Sequence, residues 1–263
     1  MNPIPLLIFL LPIGSQPPPP ATGGAPSPKT LRFSGYEWVV RGSGKGGPGP
    51  NEWSEESVRL DDKGHLHLKI RRVRVPATAT APARDEWRCA EVHTRLKLGH
   101  GEYTFEVVGA IDRLDPNIVL GLFDYPAPGD GADGTNEIDI EFARWGNPRY
   151  PNGNYTIYPA DGPRDPNASH TFRFRFDDSS PTMRTTHRFR RENEGVRFQF
   201  FRGTAKKGSR PWKEWEYRAP FHRAIPQQAL PVHINLWLFQ GRPPTDNQET
   251  EIVIRSFSFV PSP

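Results

Sequence analysis

The chain has 263 residues and a formal net charge of +4, with 30 Pro, 24 Gly and a single Cys. This length allows one large domain with a sizeable core. The abundance of Pro and Gly favours many strands joined by turns over a helical protein. One cysteine excludes an intrachain disulfide.

The N-terminal segment, residues 1–28, differs from the rest of the chain. Ile4 to Ile13 form an apolar run that is too short to span a bilayer, and a Pro-rich linker, Pro17 to Pro28, follows it. The run is typical of the apolar part of a secretory signal, although no Lys or Arg precedes it and two prolines interrupt it. A disordered tail is the alternative. We therefore expect a secreted or periplasmic protein with its folded domain at residues 29–263.

Alternation of apolar and polar residues predicts strands along most of this domain. The clearest runs are residues 65–70, 103–108, 171–176 and 196–201. Only residues 220–230 have room for a helix, and a short one. We predict an all-β protein in which two sheets pack as a jelly roll.

The basic residues follow the same alternation. Arg173 and Arg175 alternate with phenylalanines, which is typical of the solvent face of an antiparallel strand. Because the basic residues do not cluster as in a nucleic-acid site, the charge does not predict nucleic-acid binding. Long-range attraction to an acidic polysaccharide or a cell-wall surface stays open.

Other motifs give little support for further chemistry. The glycine-rich segment 42–47 lacks the Gly-Lys-Ser/Thr ending of a phosphate loop and is better explained as a loop at the rim of a cleft. His65 and His67 share a strand face, but two histidines without a third ligand are weak evidence for a metal. No Gly-x-Ser-x-Gly motif supports a serine hydrolase. We predict neither a cofactor nor a metal.

The most informative segment is Asn136 to Phe142. Its alternation predicts a strand with one apolar face and three carboxylates, Glu137, Asp139 and Glu141, on the other. Like charges in a row oppose strand formation, and such local conflicts are found at functional sites. Glycosidic bond cleavage needs paired carboxylates on a rigid element. An acidic strand edge, or a cation site facing solvent, is the alternative.

Geometry adds a condition to this hypothesis. The Cα atoms of Glu137 and Glu141 would be about 13 Å apart on a straight strand, whereas a retaining glycosidase holds its carboxyl groups about 5–5.5 Å apart. The strand must therefore be concave towards the substrate. Three crowded carboxylates cannot all ionise freely, so we expect crowding to raise at least one pKa and supply a protonated acid.

The segment Glu137-Ile-Asp-Ile-Glu-Phe resembles the active-site signature of glycoside hydrolase family 16, which includes lichenases, laminarinases, xyloglucan transglycosylases and carrageenases. Residues 90–103, 117–125 and 232–237 resemble the neighbouring strands of the family, so the likeness covers roughly residues 31–260. No bulge residue separates Ile140 from Glu141. This spacing favours the lichenase-like and transglycosylase-like branch.

The resemblance implies a concanavalin A-like jelly roll with a concave substrate cleft. It also implies an endo-acting β-glycoside hydrolase that cleaves a polysaccharide, a β-glucan or a related galactan, with retention. Glu137 would be the nucleophile and Glu141 the acid and base, with Asp139 between them steering Glu137. The resemblance places sugar contacts at Glu91, His93, Phe123, Tyr125, Tyr158 and Trp237, and strand parity adds Trp145.

Two departures put strict lichenase specificity in doubt. His93 stands where lichenases carry Arg, and Thr135 stands where they carry Trp. Each aromatic candidate has an alternative place in the core between the sheets. A transglycosylase of the same fold and a non-catalytic, lectin-like polysaccharide-binding module remain alternatives. We expect a polysaccharide as the partner, no nucleic acid, no transmembrane segment and a monomer.

Overall fold

A computed structural model describes residues 27–132, 134–160, 169–178 and 183–263. Residues 1–26, which hold the predicted signal-like segment and most of the linker, lie outside this part of the chain. The strands of the described part, numbered in chain order, are β1 Thr30–Phe33, β2 Tyr36–Val40, β3 Gly44–Gly46, β4 Asn51–Trp53, β5 Val58–Leu60, β6 Leu66–Val75, β7 Arg84–Thr94, β8 Gly101–Val108, β9 Ile118–Asp124, β10 Glu137–Phe142, β11 Gly153–Tyr158, β12 His170–Phe174, β13 Arg184–Glu192, β14 Gly195–Arg202, β15 Lys213–Arg218, β16 Val232–Leu238 and β17 Thr250–Pro261.

Most of these strands form two antiparallel sheets, whereas β3 and β4 form a separate antiparallel pair in which β4 also pairs in parallel with β7. The first, which we call the cleft sheet, has the order β1-β2-β7-β16-β9-β10-β11-β12. The second, the outer sheet, has the order β5-β6-β17-β8-β13-β14-β15. Pairing of β6 with β7 joins the two sheets. The predicted all-β, two-sheet architecture is confirmed, and residues 220–230 contain only the 3-10 turn His222–Ala224.

The apolar face of strand β10 packs into the core between the two sheets. Ile138, Ile140 and Phe142 are fully buried, as their alternation predicts. The ring of Phe142 lies 6.1 Å from that of Phe200 on the outer sheet. Full burial of each such side chain stabilises the fold by about 1.5–3 kcal/mol. The opposite face of β10 therefore points away from the core.

A buried ion pair links the two sheets behind β10. Arg191 on β13 and Asp124 on β9 are both inaccessible to solvent, and Arg191 Nη1 lies 3.0 Å from Asp124 Oδ2. Asp124 Oδ1 accepts a hydrogen bond of 2.9 Å from the amide of Ile138. The pair therefore connects the outer sheet to the backbone next to Glu137.

No helix in the described ranges is long and apolar enough to cross a membrane.

Candidate active site

A cavity of about 840 Å³ lies on the face of the cleft sheet that points away from the core. Alternate residues of six neighbouring strands, from β7 to β12 through the centre of the sheet, form its floor. Nine of the ten predicted site residues line it: Glu91, Phe123, Tyr125, Glu137, Asp139, Glu141, Trp145, Tyr158 and Trp237.

Strand register explains why residues distant in sequence meet in this cleft. Glu141 pairs with Gly121 on one side and with Asn154 on the other. Further pairings continue this row of residues from β7 to β12. At the β7 end of the row, the amide of Arg41 donates a hydrogen bond to the carbonyl of Glu91. The Glu141 row, in spatial order, is Arg41, Glu91, Asn235, Gly121, Glu141, Asn154 and Arg173.

Gly121 leaves room beside Glu141. A Cβ atom at this position would lie 2.5 Å from Asn235 Oδ1 and 3.3 Å from the ring of Phe123. Because these distances are shorter than van der Waals contact, a larger residue would displace the cleft floor. The absent side chain therefore keeps the site next to Glu141 open.

Asp139 is the most buried of the three carboxyl groups, with 4% of its surface exposed. Burial, together with the charges of Glu137 and Glu141 and a hydrogen bond to Glu137, raises the pKa of Asp139 well above its usual range. The raised pKa favours the protonated form of Asp139, which can donate a hydrogen bond to the Glu137 carboxylate. This contact agrees with the expected position of Asp139 between the two glutamates.

Glu141 acquires its proton in a different way from the one predicted. Burial alone raises the pKa of Glu141 to about 7, whereas crowding by neighbouring carboxylates acts on Asp139. The predicted effect of crowding, a raised pKa of at least one carboxyl group, is found at Asp139, whereas the raised pKa of Glu141 has burial as its cause. Glu141 is still poised to carry a proton near neutral pH.

Glu91 lies at the other side of the cleft and is held by a guanidinium and an imidazole group. Its Oε2 atom is 2.6 Å from Arg41 Nη1, and its Oε1 atom is 2.9 Å from His233 Nδ1. Burial alone would raise the pKa of Glu91, but the hydrogen bond and charge of His233 and the charge of Arg41 outweigh it and lower the pKa. Because both oxygens are engaged, Glu91 orients Arg41 and His233 within the cleft.

His93 is the one predicted site residue that does not line the cavity. Its ring stacks on His233, with centroids 5.1 Å apart, and His233 stacks in turn on Phe123. Burial, followed by the charge of His233, lowers the pKa of His93 to about 4, so the ring is neutral at pH 7. His93 thus lies beside His233 on the cleft face of the sheet, just outside the cavity, and its contact with substrate stays a prediction.

The two predicted tryptophans stand together at one end of the cleft. Strand β10 ends at Phe142, and Trp145 lies in the following turn with a φ of +53°. Strand parity therefore does not explain its position, although it does line the cavity. Its ring lies 6.3 Å from Trp237 and 5.6 Å from Phe239. Trp237 lines the same cavity but is only 7% exposed, so its neighbours, Trp145 among them, cover most of the residue.

Several cleft residues were not predicted from the sequence. Gly47 and Pro48 bring the end of the glycine-rich segment to the rim, where a loop was expected. Arg41 follows β2, and Gly134 lies in the turn before β10. The others lie on or next to strands one or two places from β10 in the sheet, so their parity could have indicated them. They are Asn154, Thr156, Ser169, Thr171, Arg173, His233 and Asn235.

Metal ligands are not assembled in the described ranges. No group of three or more His, Cys, Asp and Glu residues there is arranged to hold a metal ion. His65 and His67 instead bond to Asp61, and His67 also lies 2.8 Å from Glu251. The two histidines therefore belong to a polar network on the outer sheet.

The fold is similar to those of solved β-glucanases. The chain resembles a prokaryotic β-1,3-1,4-glucanase (lichenase) from a mouse hindgut metagenome with 24% identity and a TM-score of 0.57, over 86% of this chain and 93% of that one. A Bacillus licheniformis β-glucanase gives 18% identity and a TM-score of 0.59, over 86% and 92% of the two chains.

A third similar structure is an immunostimulatory antigen and pseudo β-1,3-glucanase of Mycobacterium tuberculosis. It shares 18% identity and a TM-score of 0.59, over 86% of this chain and 91% of that one. Neither a protein-family model nor a curated protein matches the chain. These similarities confirm the jelly-roll fold that the resemblance implied.

Proposed function

We propose that the protein is an endo-acting β-glycoside hydrolase of the family 16 type that cleaves a β-glucan or related galactan with retention. The observation that carries the proposal is the arrangement of Glu137, Asp139 and Glu141 along one strand in an open cleft, with Glu141 able to hold a proton near pH 7. We further propose a monomer that is secreted or periplasmic.

In the proposed mechanism the Glu137 carboxylate attacks the anomeric carbon while Glu141 donates its proton to the leaving glycosidic oxygen. A glycosyl ester of Glu137 forms. Glu141, now a carboxylate, takes a proton from water, and the water oxygen displaces Glu137. The Asp139 proton, bonded to Glu137, orients the nucleophile and reduces repulsion among the three groups.

Two alternatives differ in their acceptor or in their chemistry. A transglycosylase would pass the glycosyl group to a sugar hydroxyl instead of water. A lectin-like module would only bind, and one similar structure is described as a pseudo β-1,3-glucanase. A binding module needs neither a poised acid nor a hydrogen-bonded nucleophile, so the carboxyl arrangement favours an enzyme.

The proposal is tested by measuring reducing-end release from mixed-linkage glucan, laminarin, xyloglucan, agarose and carrageenan. An endo-acting hydrolase is expected to produce short oligosaccharides from one of them with retained anomeric configuration, followed by NMR. Products longer than the starting oligosaccharide would identify a transglycosylase. Binding without bond cleavage would contradict the enzyme hypothesis.

The pH dependence of activity should report the proton on Glu141. Since its pKa is about 7 and the acid must be protonated, kcat/KM is expected to fall as pH rises through about 7. In Glu141→Gln, the rate of hydrolysis should fall far more for substrates with poor leaving groups than for activated aryl glycosides. For the aryl glycosides, kcat/KM of this variant should no longer fall as pH rises through about 7. Equal losses on both substrate types would contradict the assigned role.

Trp145 should serve as a stacking platform for a sugar ring, because flat aromatic faces bury the apolar faces of pyranoses. We expect Trp145→Ala to raise KM, with a smaller loss of thermal stability than Trp237→Ala. The latter removes a ring that is 7% exposed, and truncation of a buried Trp costs about 3–5 kcal/mol. Thermal melting with and without oligosaccharide separates the two effects. An unchanged KM in Trp145→Ala would exclude the platform role.

A further inference from the structure

The edge strand β12 contributes a wall of hydrogen-bond donors to the cleft. Ser169, Thr171 and Arg173 alternate in sequence, so their side chains share one face, and all three line the cavity. The Thr171 hydroxyl lies 3.2 Å from that of Thr156 on β11. Two hydroxyls and a guanidinium therefore face the cleft without a carboxylate among them.

Arg173 differs from the other cation of the Glu141 row. Arg41 is paired with Glu91 and packs over the ring of Trp53, 3.9 Å from its centroid. Arg173 is exposed, and within the described ranges it forms no ion pair. Its positive charge is therefore not neutralised by any neighbouring carboxylate in that part of the chain.

The position of Arg173 relative to Glu141 follows from the register. Glu141 pairs with Asn154, and Asn154 pairs with Arg173, so two strand spacings separate them, about 10 Å. An anionic substituent of the substrate would be repelled by the carboxylates if it lay close to Glu137 and Glu141. A substituent beside Arg173 is far enough from both glutamates to avoid this repulsion. The substituent that Arg173 recognises would thus be carried by a sugar near, and not at, the scissile bond.

We propose that Ser169, Thr171 and Arg173 form a subsite for a carboxylate or sulfate group, so that the substrate is an acidic polysaccharide. This inference rests on the proposed function and names its substrate class. A guanidinium binds both anions through two parallel hydrogen bonds, which are roughly twice as strong as those to a neutral hydroxyl. The net charge of +4 adds long-range attraction to a polyanion.

The test compares laminarin with carboxymethyl-laminarin of the same chain length. We expect the wild-type protein to have a higher kcat/KM on the carboxymethylated glucan and to lose this preference between about 0.05 and about 0.5 M salt. Arg173→Gln should lose about tenfold on the charged substrate and little on the neutral one. Arg173→Lys keeps the positive charge but loses the planar guanidinium that donates two parallel hydrogen bonds. Its kcat/KM on the charged substrate should lie between those of the wild type and Arg173→Gln.

Arg32→Gln is the matched control, because this substitution removes the same charge as Arg173→Gln. Arg32 is exposed on the opposite edge of the cleft sheet and lies outside the cavity. The variant should behave like the wild type. Equal effects of Arg173→Gln on both glucans, or equal effects of the two Gln variants, would overturn the acidic-substrate inference while leaving the hydrolase intact.

Binding of carboxymethyl-laminarin, measured by calorimetry in the Glu137→Gln background, separates the two proposals. If the wild-type protein cleaves neither glucan but binding still depends on Arg173, the subsite stands and the proposed hydrolysis of this backbone fails. If neither cleavage nor Arg173-dependent binding occurs, the acidic-substrate inference fails, and the proposed hydrolase is decided by the screen over the other polysaccharides.

Discussion

Replacing Glu137 with Gln is expected to lower kcat by about four orders of magnitude or more, the scale of loss when a covalent nucleophile is removed. An amide cannot form the glycosyl ester that the proposed mechanism requires. The fold should survive, because Gln has the same shape and its oxygen still accepts the Asp139 proton. The loss is measured by steady-state kinetics, and the melting temperature reports folding.

Two further variants sharpen the assignment. In Glu137→Ala the space left by the side chain admits azide, which should restore turnover and give a product of inverted configuration. Asp139→Asn is the matched comparison, since a protonated Asp139 and an Asn both donate to Glu137. It should lose less activity than Glu137→Gln. Turnover near the wild-type rate in Glu137→Gln would contradict the nucleophile role.

The orientation of strand β10 could be predicted because it depends on local sequence alone. A strand repeats every two residues, so Ile138 and Phe142 must share a face, and the glutamates between and before them must share the other. No knowledge of the neighbouring strands is needed for this step. The same reasoning does not explain Trp145, which lines the cavity although β10 ends at Phe142, since parity holds only within a strand.

The partners of Glu91 could not be predicted in this way. Arg41 is 50 residues away in the chain and His233 is 142 residues away. Their contacts depend on β7 lying between β2 and β16, and strand order is a property of the assembled sheet. For the same reason the cause of the raised pKa of Glu141 was misassigned, because burial at the centre of a sheet is not visible in a sequence.

Arg191 is an intermediate case. It shares the parity of Phe189, which is fully buried, so the alternation of β13 places a charged residue on the inner face. A buried arginine requires an anionic partner, and the sequence alone does not identify which one. The structure identifies Asp124, on the other sheet.

Replacing Arg191 with Met is expected to destabilise the protein by about 3–5 kcal/mol at pH 7, since removing one partner leaves a buried, unpaired charge. Burial raises the pKa of Asp124 to about 6, so with Arg191 present the carboxyl group is ionised at neutral pH. Chemical denaturation measures the free energy of unfolding. Arg190→Met is the matched control, because Arg190 is exposed and its ion pair with Glu192 should contribute about 1 kcal/mol or less.

The pH dependence of the stability lost in Arg191→Met identifies the cause of that loss. Without Arg191 the folded-state pKa of Asp124 rises further above its unfolded value, so stability is lost as pH rises, and the penalty should shrink towards pH 5 as Asp124 takes up a proton. Adding Asp124→Asn should recover part of the loss, since the Asn oxygen still accepts the amide of Ile138. A penalty that is independent of pH would indicate lost packing instead. Because that amide adjoins Glu137, we expect Arg191→Met to lower kcat as well, and the double variant to restore kcat together with stability.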